Sequence, residues 1–246
     1  MKRLVQSTLN KFGFRIVRIQ DGPRPSDGLT PFFSCIKRLG FTPRHIMDVG
    51  ANHGIWTREA LKHFPDASYT LVEPQDQLKA SVQDLIDAGC KIRWINAGAG
   101  DKSGTLPFTI TPRDYDSTFT VTAEEARDAG LRQIPVEVKT LNEIVSTVNM
   151  PLPEMVKIDA EGFDLKVLRG ASDLFGKTEI FLAEVSTFGT YQNPLVEVLD
   201  FMADAGYRLF DITDLNHSPK CGILWLCELA FLRNASPLLN GVISYS

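Results

Sequence analysis

The segment that most constrains the fold is residues 48–54, whose sequence is DVGANHG. A short apolar run precedes it, and a helical stretch over residues 55–64 follows it. A strand that ends in a small-residue turn and leads into a helix is how α/β folds build a cofactor cradle. Glycines let the backbone approach a ligand, and the helix N-terminus offers unpaired N–H groups. The segment therefore predicts an α/β fold with a cofactor bound at this turn.

The glycine spacing distinguishes two cofactors. A dinucleotide fingerprint has the form G-x-G-x-x-G. Here Gly50 and Gly54 are present, but Asn52 takes the place of the middle glycine. A side chain at this position would keep a pyrophosphate away from the backbone, which argues against NAD. S-adenosylmethionine has no phosphate, and Asp48 would attract its ammonium, directly through its field or through a water, while the N–H groups of the turn would suit its carboxylate. The spacing therefore favours the methyl donor over NAD.

A second apolar run, residues 69–72, ends in Glu73. A carboxylate at this strand end is placed to accept hydrogen bonds from ribose hydroxyls. Glycine turns after strands are common, so an ordinary connection with no ligand is the alternative. Glu73 makes that alternative much less favoured.

Composition limits the class of protein. The chain has 246 residues, enough for one α/β domain with a full core. Its formal net charge of −4 gives no general attraction to nucleic acid, so we expect no nucleic-acid partner. No apolar run reaches the roughly 18 residues of a membrane span. The four cysteines are scattered and form no C-x-x-C pair, which is typical of free thiols in a cytoplasmic protein.

Residues 1–25 form a basic amphipathic arm and linker, separate from the domain expected over residues 26–246. Its basic residues alternate with apolar ones; they are Lys2, Arg3, Lys11, Arg15 and Arg18. Two interpretations stay open. The arm contacts an anionic membrane surface or an acidic substrate, or it packs on the domain or on a second copy of the chain in a homo-oligomer.

Strands and helices alternate along most of the chain. Strands are predicted at residues 45–49, 69–73, 91–96, 155–159 and 179–185. Helices are predicted at residues 30–39, 55–64, 75–88, 140–148, from 164 onward, and at 194–205. This alternation predicts a mostly parallel sheet with helices on both faces. Residues 207–212 and 229–233 have no convincing helix between them and predict a closing antiparallel pair.

The middle of the chain is irregular. Two strands, 106–110 and 134–138, flank the polar residues 111–130. A long polar segment inside a compact domain is usually functional. We interpret it as a lid or substrate loop with a short helix near residues 123–129.

Carboxylates follow several of the predicted strands. They are Asp48, Glu73, Asp159 and Glu184. Ligands of such sheets bind at the carboxyl ends of the strands, and clustered negative charges repel unless cations or donor-rich ligands lie among them. Asp159 and Glu184 would suit a hard divalent cation, which is an alternative to the metal-free site that we predict. The small residues of 96–101 leave room for a flat adenine ring, with Asp101 accepting from its amine.

These segments together resemble the FkbM family of S-adenosylmethionine-dependent methyltransferases. The segments that carry the resemblance are residues 48–54 (DVGANHG), 72–74 (VEP), 116–119 (DSTF), 138–143 (VKTLNE) and 156–164 (VKIDAEGFD). The resemblance covers roughly residues 44–233, and the segment 156–164 is specific because most methyltransferases lack it. It implies a class I, Rossmann-like fold with a mostly parallel seven-stranded sheet and an antiparallel closing strand. It also implies O-methylation of a hydroxyl on a sugar, a glycan or another small natural-product acceptor.

The resemblance assigns roles residue by residue. It places the methionine part of the cofactor at the turn, the ribose at Glu73 and the adenine near residues 97–101, with Ser117 beside the pocket. The cofactor residues are then Asp48, Gly50, Ala51, Asn52, Gly54, Glu73, Ala97, Gly98, Asp101 and Ser117. Asp159 and Glu161 would line the methyl-transfer site. The chain departs from the family pattern at Ala160 and Glu228, and neither change affects the expected chemistry.

An aliphatic hydroxyl is a poor nucleophile, so a base assists its methylation. Asp159 and Glu161 are the candidates, because crowded carboxylates in a closed pocket have raised pKa values. An alternative for Glu161 is an acid near the N-terminus of the following helix. His53 is expected to point outward from the cofactor turn. His217 would meet substrate only if its loop folds inward.

Two other classes of protein stay open as alternatives. One is an NAD-linked oxidoreductase, which the glycine spacing disfavours. The other is a non-catalytic module that keeps the fold and binds a cofactor. Acceptor choice is expected to depend on the N-terminal arm and on three loops, residues 111–130, 186–193 and 213–222, since loops vary freely on a fixed scaffold.

Overall fold

The computed structural model describes residues 28–188 and 193–241. The predicted arm over residues 1–25 lies outside these ranges. Within them, no helix is both long and apolar enough to pass through a bilayer.

The strands and helices follow the predicted alternation. In chain order the strands are β1 (His45–Val49), β2 (Ser68–Val72), β3 (Ile92–Ile95), β4 (Gly98–Ala99), β5 (Gly104–Ile110), β6 (Arg132–Lys139), β7 (Met155–Ile158), β8 (Ile180–Ser186), β9 (Tyr207–His217) and β10 (Leu224–Arg233). The α-helices are α1 (Leu29–Arg38), α2 (Ile55–His63), α3 (Gln83–Asp87), α4 (Ala123–Asp128), α5 (Leu141–Thr147), α6 (Asp164–Arg169) and α7 (Leu195–Asp204). Short 3₁₀ helices cover Asp76–Val82, Asp114–Asp116 and Pro237–Gly241.

The central sheet has seven strands in the order β3-β2-β1-β7-β8-β10-β9. The first five are parallel, and β10 pairs antiparallel with both β8 and β9. This confirms the predicted sheet and its antiparallel closing pair. Val49 of β1 lies opposite Ile158 of β7, so the two strands end at the same level. The turn after β1 and the segment after β7 therefore meet at the carboxyl edge of the sheet.

Apolar side chains cover both faces of this sheet. On one face, residues of α5, α6 and α7 pack against strand residues such as Ile158 and Phe181. On the other face, α1 and α2 pack against residues such as Ile46 and Leu182. The helix α1 buries Leu29, Phe32, Phe33 and Ile36, whose spacing places them on one side of the helix. Helices thus lie on both faces, as predicted.

A second, three-stranded sheet has the order β4-β6-β5. The strands predicted at residues 106–110 and 134–138 are its antiparallel pair. The two-residue strand β4 joins them by pairing in parallel with β6. The sequence predicted the pair but not that it would form a sheet of its own beside the carboxyl edge of β2 and β3.

The closing strands are longer than predicted. The strand β9 continues through residues 213–217, which we expected in a loop, so the connection to β10 is only residues 218–223. His217 ends β9 and is exposed, rather than lying in a substrate loop. The polar residues of this stretch hid the strand, because β9 is an edge strand whose residues are mostly exposed.

The single helix predicted over residues 75–88 is wrong. The chain instead forms a 3₁₀ helix over Asp76–Val82 and a one-turn α-helix, α3. At the junction Val82 adopts φ −113° and ψ 5°, outside the α-helical range. Its side chain packs against the backbone of Gly54, and this tertiary contact coincides with the break in the helix.

Candidate cofactor and acceptor site

A cavity of about 210 Å³ opens at the carboxyl edge of the central sheet. Its walls come from the β1–α2 turn, the end of β2, the strand β4, the end of β7, and the antiparallel strands β9 and β10. Residues 113–119, here named the strap, form its cover. Most of the predicted site residues line this cavity: Gly50, Ala51, Asn52, Glu73, Ala97, Gly98, Ser117, Asp159 and Glu161. Asp48, Gly54 and Asp101 do not.

The two glycines of the turn allow close packing on either side of it. Gly50 adopts φ 76°, and a Cβ there would lie 1.8 Å from the carbonyl oxygen of Asp159. Gly54 adopts φ 71° at the start of α2, and its Cβ would lie 2.5 Å from Cγ1 of Val82. Glycine therefore lets the turn press against β7 on one side and the 3₁₀ helix on the other.

Glu73 is held in place before any ligand binds. Its side chain is buried, and its two carboxylate oxygens accept hydrogen bonds from the backbone N–H groups of Asn52 and Gln75, each at 2.9 Å. The amide of Asn96 donates to the carbonyl oxygens of Glu73 and Pro74 and fixes the backbone at the end of β2. Burial raises the pKa of Glu73 to about 7.

Asp48 lies behind the cavity and not on its surface. It is fully buried, and one oxygen accepts a hydrogen bond from the Thr57 hydroxyl at 2.6 Å. Its other oxygen has no hydrogen-bond partner among the described residues. Asp48 is paired in register with Lys157 of β7, whose charge acts on it. Its field thus reaches the cavity through the turn, while Asp101 is exposed and lies away from the cavity.

Small residues and aromatic rings pack together beside β4. Ala97, Gly98 and Ala99 line the cavity, and a Cβ on Gly98 would lie 2.4 Å from the ring of Phe119. The Phe119 ring in turn lies 4.7 Å from that of Phe108 and 5.3 Å from that of Phe163, measured between centroids. No side chain larger than a methyl group projects from residues 97–99, so the Phe119 ring packs directly against Gly98.

The strap is fastened at both ends. Near the cofactor turn, Asp114 contacts Nε2 of His53 through its carboxylate and accepts from Gln75 through its backbone oxygen, both at 2.9 Å. Near β7, the Thr118 hydroxyl donates to the backbone oxygen of Glu161 at 2.7 Å. His53 therefore lines the cavity and holds the strap, so the expectation that it points outward was wrong.

Lys157 and Asp159 lie together at the end of the cavity formed by β7. The ammonium of Lys157 donates to Oδ2 of Asp159 at 2.9 Å, and the two side chains are 5% and 37% exposed. Burial alone would lower the pKa of Lys157, but the charges of Asp159, Asp48 and Glu228 raise it above its ordinary value. The lysine therefore stays charged, and Asp159 presents its carboxylate to the cavity.

Glu161 lines the cavity too, with φ 48° at the turn after β7. The alternative role for it, as the acid of the next helix, does not fit. The helix α6 begins after Phe163, and its first-turn acid is Asp164. Asp164 accepts from the side-chain amide of Asn193 at 2.8 Å, and burial raises its pKa to about 7.

Two acids of the antiparallel strands line the cavity and were missed. Glu228 of β10 accepts from the Thr213 hydroxyl, and burial raises its pKa to about 7. Asp214 of β9 lies beside it on the cavity wall. The available signal was a glutamate inside an otherwise apolar run, residues 223–232. The same kind of signal, a charge within a buried strand, marked Lys157, to which no role had been assigned.

Asp159 and Glu184, the two carboxylates considered for a divalent cation, are not joined by further metal ligands among the described residues. Among the residues that the structure describes, no group of three or more His, Cys, Asp and Glu side chains is arranged to hold a metal ion. Glu184 does not line the cavity, and burial together with the charges of Asp159 and Asp164 raises its pKa.

Comparisons with known proteins agree with this geometry. The family model for the methyltransferase FkbM domain matches residues 48–209. The chain is similar to methyltransferase sdnD of Sordaria araneosa, with 24% identity over 157 residues that cover 52% of this chain and 60% of that protein. It is also similar to 2-O-methyltransferase NoeI of Sinorhizobium fredii, with 22% identity over 175 residues, which are 64% of this chain and 70% of NoeI. The match thus spans less than two thirds of the first relative.

The fold is similar to that of a solved methyltransferase. Magnesium protoporphyrin IX methyltransferase (ChlM) from Synechocystis PCC 6803 superimposes with a TM-score of 0.50 at 9% identity, over 94% of this chain and 96% of that one. At this identity the likeness is one of fold, and the fold is that of class I methyltransferases. Because the family model also matches most of the chain, this protein belongs to the FkbM family of methyltransferases.

Proposed function

We propose that this protein is an S-adenosylmethionine-dependent O-methyltransferase that acts on a hydroxyl of a sugar, a glycan or another small natural-product acceptor. The main observation behind the proposal is that Glu73 and Asp159 line the same cavity. The first carboxylate is placed to hold a ribose, and the second to take a proton. Family membership supports the transfer of a methyl group.

The residues present fit the cofactor. Glu73 offers a fixed carboxylate to ribose hydroxyls, and the small residues 97–99 line the cavity where the adenine is proposed to lie. The β1–α2 turn, with Asp48 buried behind it, suits the zwitterionic end. When bound, S-adenosylmethionine supplies a methyl group made electrophilic by a positively charged sulfur. Asp101 is not needed in this assignment.

The protein's part in the reaction is to align the acceptor, exclude water and remove a proton. The acceptor oxygen would bond to the methyl carbon as the carbon–sulfur bond of S-adenosylmethionine breaks, which would release S-adenosylhomocysteine, and the hydroxyl proton would pass to Asp159. Glu161, on the same wall, is the second candidate base. The strap covers the cavity with Tyr115 and Phe119, which limits the access of water.

The acceptor end of the cavity supports a hydroxylated acceptor. Asp159, Asp214 and Glu228 reach it from three different strands or strand ends. Carboxylates accept hydrogen bonds from hydroxyl groups, and the exposed ring of Tyr115 on the cavity lining offers a face against which a sugar can pack. NoeI is described as a 2-O-methyltransferase, which supports transfer to oxygen.

The first test is calorimetric titration with S-adenosylhomocysteine and, separately, with NAD. We expect S-adenosylhomocysteine to bind and NAD not to bind. Glu73→Gln should weaken binding by about tenfold or more, because a charge-assisted contact to ribose is lost. The matched control is Glu59→Gln, which changes a carboxylate that is 5% exposed and lies outside the cavity. Binding of NAD instead would overturn the cofactor assignment.

The second test is transfer of a labelled methyl group to a panel of neutral glycosides and aminated analogues. Asp159→Asn should keep affinity for S-adenosylhomocysteine and lose about 10²–10⁴ in kcat, the usual contribution of a base. Methylation confined to the amines would show that the acceptor atom is nitrogen, and the O-methyltransferase proposal would fail.

A further inference from the structure

Lys157 is a charged residue in the middle of a buried strand. It lies between Val156 and Ile158 in β7 and is 4% exposed. Lysine is almost never buried to this degree unless it is paired, since removing an ammonium from water is costly. Among the described residues that line the cavity, Lys157 is the one lysine or arginine. A lysine at this position therefore needs a specific partner of opposite charge.

The partner is Asp159. Within the described residues the ammonium donates one hydrogen bond, to Oδ2 of Asp159 at 2.9 Å. Asp48 lies opposite it in the register of β1 and β7, and Glu228 faces it from β10; both contribute charge. Of the pair, Lys157 is 5% exposed and Asp159 37% exposed. The Lys157 ammonium thus contacts one oxygen of the Asp159 carboxylate, and the rest of this more exposed side chain faces the cavity.

A short carboxylate at the end of a strand has rotational freedom of its own. Gly50 fixes the backbone of Asp159 from one side, because its missing Cβ lets the carbonyl oxygen of Asp159 approach. Within the described residues, the carboxylate of Asp159 accepts a hydrogen bond from the Lys157 ammonium. Backbone and side chain of Asp159 are therefore held by two separate contacts, one to β1 and one within β7.

We propose that Lys157 is a positioning residue for methyl transfer, which holds the carboxylate of Asp159 where the acceptor hydroxyl meets the methyl donor. The inference rests on the proposed function, because it requires that Asp159 take the hydroxyl proton. Lys157 acts through Asp159 and does not itself contact the reacting atoms.

The test compares Lys157→Met, which keeps the length of the side chain and removes its charge, with the native protein. We expect kcat to fall at least about tenfold, with affinity for S-adenosylhomocysteine unchanged within about threefold. The acid limb of the kcat profile, measured with cofactor and acceptor saturating so that their binding does not contribute, should move to higher pH, because an opposite charge next to the carboxylate is lost. A purely structural lysine would not move that limb.

A buried cluster that loses its cation is at risk of not folding. The double variant Lys157→Met/Glu228→Gln removes one carboxylate together with the ammonium, and its kcat and pH profile should change in the same direction. The matched control is Arg233→Met. It breaks another partly buried ion pair of the central sheet, Arg233–Glu179 at 2.9 Å, which lies outside the cavity. This control should leave kcat and the pH profile unchanged.

The outcomes separate this inference from the proposed function. A native protein that methylates no hydroxyl acceptor would defeat the proposed function itself. An active native protein, inactive as Asp159→Asn but unaltered in kcat and pH profile as folded Lys157→Met or the double variant, would overturn the role of Lys157 alone. Loss of S-adenosylhomocysteine binding in Lys157→Met would also overturn it, since the lysine would then serve cofactor binding.

Discussion

At the residue scale, the site depends on one contact that only glycine permits. Gly50 directly follows β1 with φ 76°, and the carbonyl oxygen of Asp159 occupies the space that its Cβ would need. The contact sets the distance between the cofactor turn and the candidate base. Any larger residue must separate the two or strain both.

The first prediction concerns Gly50→Ala. We expect a loss of about 3 kcal/mol or more in the free energy of unfolding, because a backbone clash is added to an unfavourable φ. Binding of S-adenosylhomocysteine should be lost with it. Gly40→Ala is the control, since Gly40 has φ 94° but nothing within 4 Å of a Cβ; it should cost only about 1–2 kcal/mol. Equal losses in denaturant titrations of the two variants would contradict the role of the contact.

We expect Glu73 to make cofactor binding depend on pH. Burial raises its pKa to about 7, against the hydrogen bonds from Gln75 and Asn52, while the ordinary value is 4.5. Between these values the folded protein holds the proton and the unfolded chain has lost it. The contribution of Glu73 to stability is therefore complete below about pH 4.5 and falls as the pH rises toward about 7.

The pH dependence of cofactor affinity should have the opposite sign to that of stability, because in the proposed site the ribose hydroxyls donate to the ionised carboxylate of Glu73. The affinity for S-adenosylhomocysteine should increase from about pH 6 to about pH 8 and then level off. Calorimetry across this range would measure it. Asp164 and Glu228 also have pKa values of about 7, so the share of Glu73 is obtained by difference from Glu73→Gln. A native profile that matches the variant's would contradict the assignment of Glu73.

At the scale of elements, the strap connects the two halves of the cavity. It is tied to the cofactor turn through the His53–Asp114 pair and to the segment after β7 through Thr118. The histidine and aspartate side chains are 34% and 38% exposed, so solvent screens their attraction. Such a pair contributes about 0–1 kcal/mol to stability, and its effect is more visible in ligand exchange.

We predict that Asp114→Ala changes the free energy of unfolding by less than about 1 kcal/mol and speeds dissociation of S-adenosylhomocysteine several-fold. Stopped-flow displacement would measure the rate. Asp116→Ala is the control, because Asp116 lies on the same 3₁₀ turn and pairs with Arg113, away from the cavity lining. If both variants release the ligand at the same rate, the link from strap to turn has no role in retention.

The sequence predicted the parallel strands well and the edge strand poorly. Central strands such as β1 and β7 are buried on both faces and read as short apolar runs. By contrast β9 carries Asp211, Asp214 and His217, and its pairing with β10, not its composition, makes it a strand. Residues 189–192 of one predicted substrate loop lie outside the described ranges, so that loop stays a prediction.

At the scale of the whole molecule, the site joins parts of the chain that are far apart in sequence. The turn after β1 meets the segment after β7, and Glu228 arrives from the last strand. A linear pattern reveals residues placed after strands, such as Glu73 and Asp159. It does not reveal the order of the strands or the approach of Glu228 to Lys157, because both follow from long-range packing.

The last prediction follows from this convergence. S-adenosylhomocysteine at about 100 times its Kd should stabilise the protein by about 2.7 kcal/mol, which corresponds to an increase in Tm of about 5–10 °C. The increase should be absent with NAD and reduced in Glu73→Gln. Hydrogen exchange should slow at residues 50–54 and 73–75 and in the strap, because these segments enclose the cavity. A higher Tm with protection only elsewhere would place the ligand at another site, since a ligand protects the backbone that it orders.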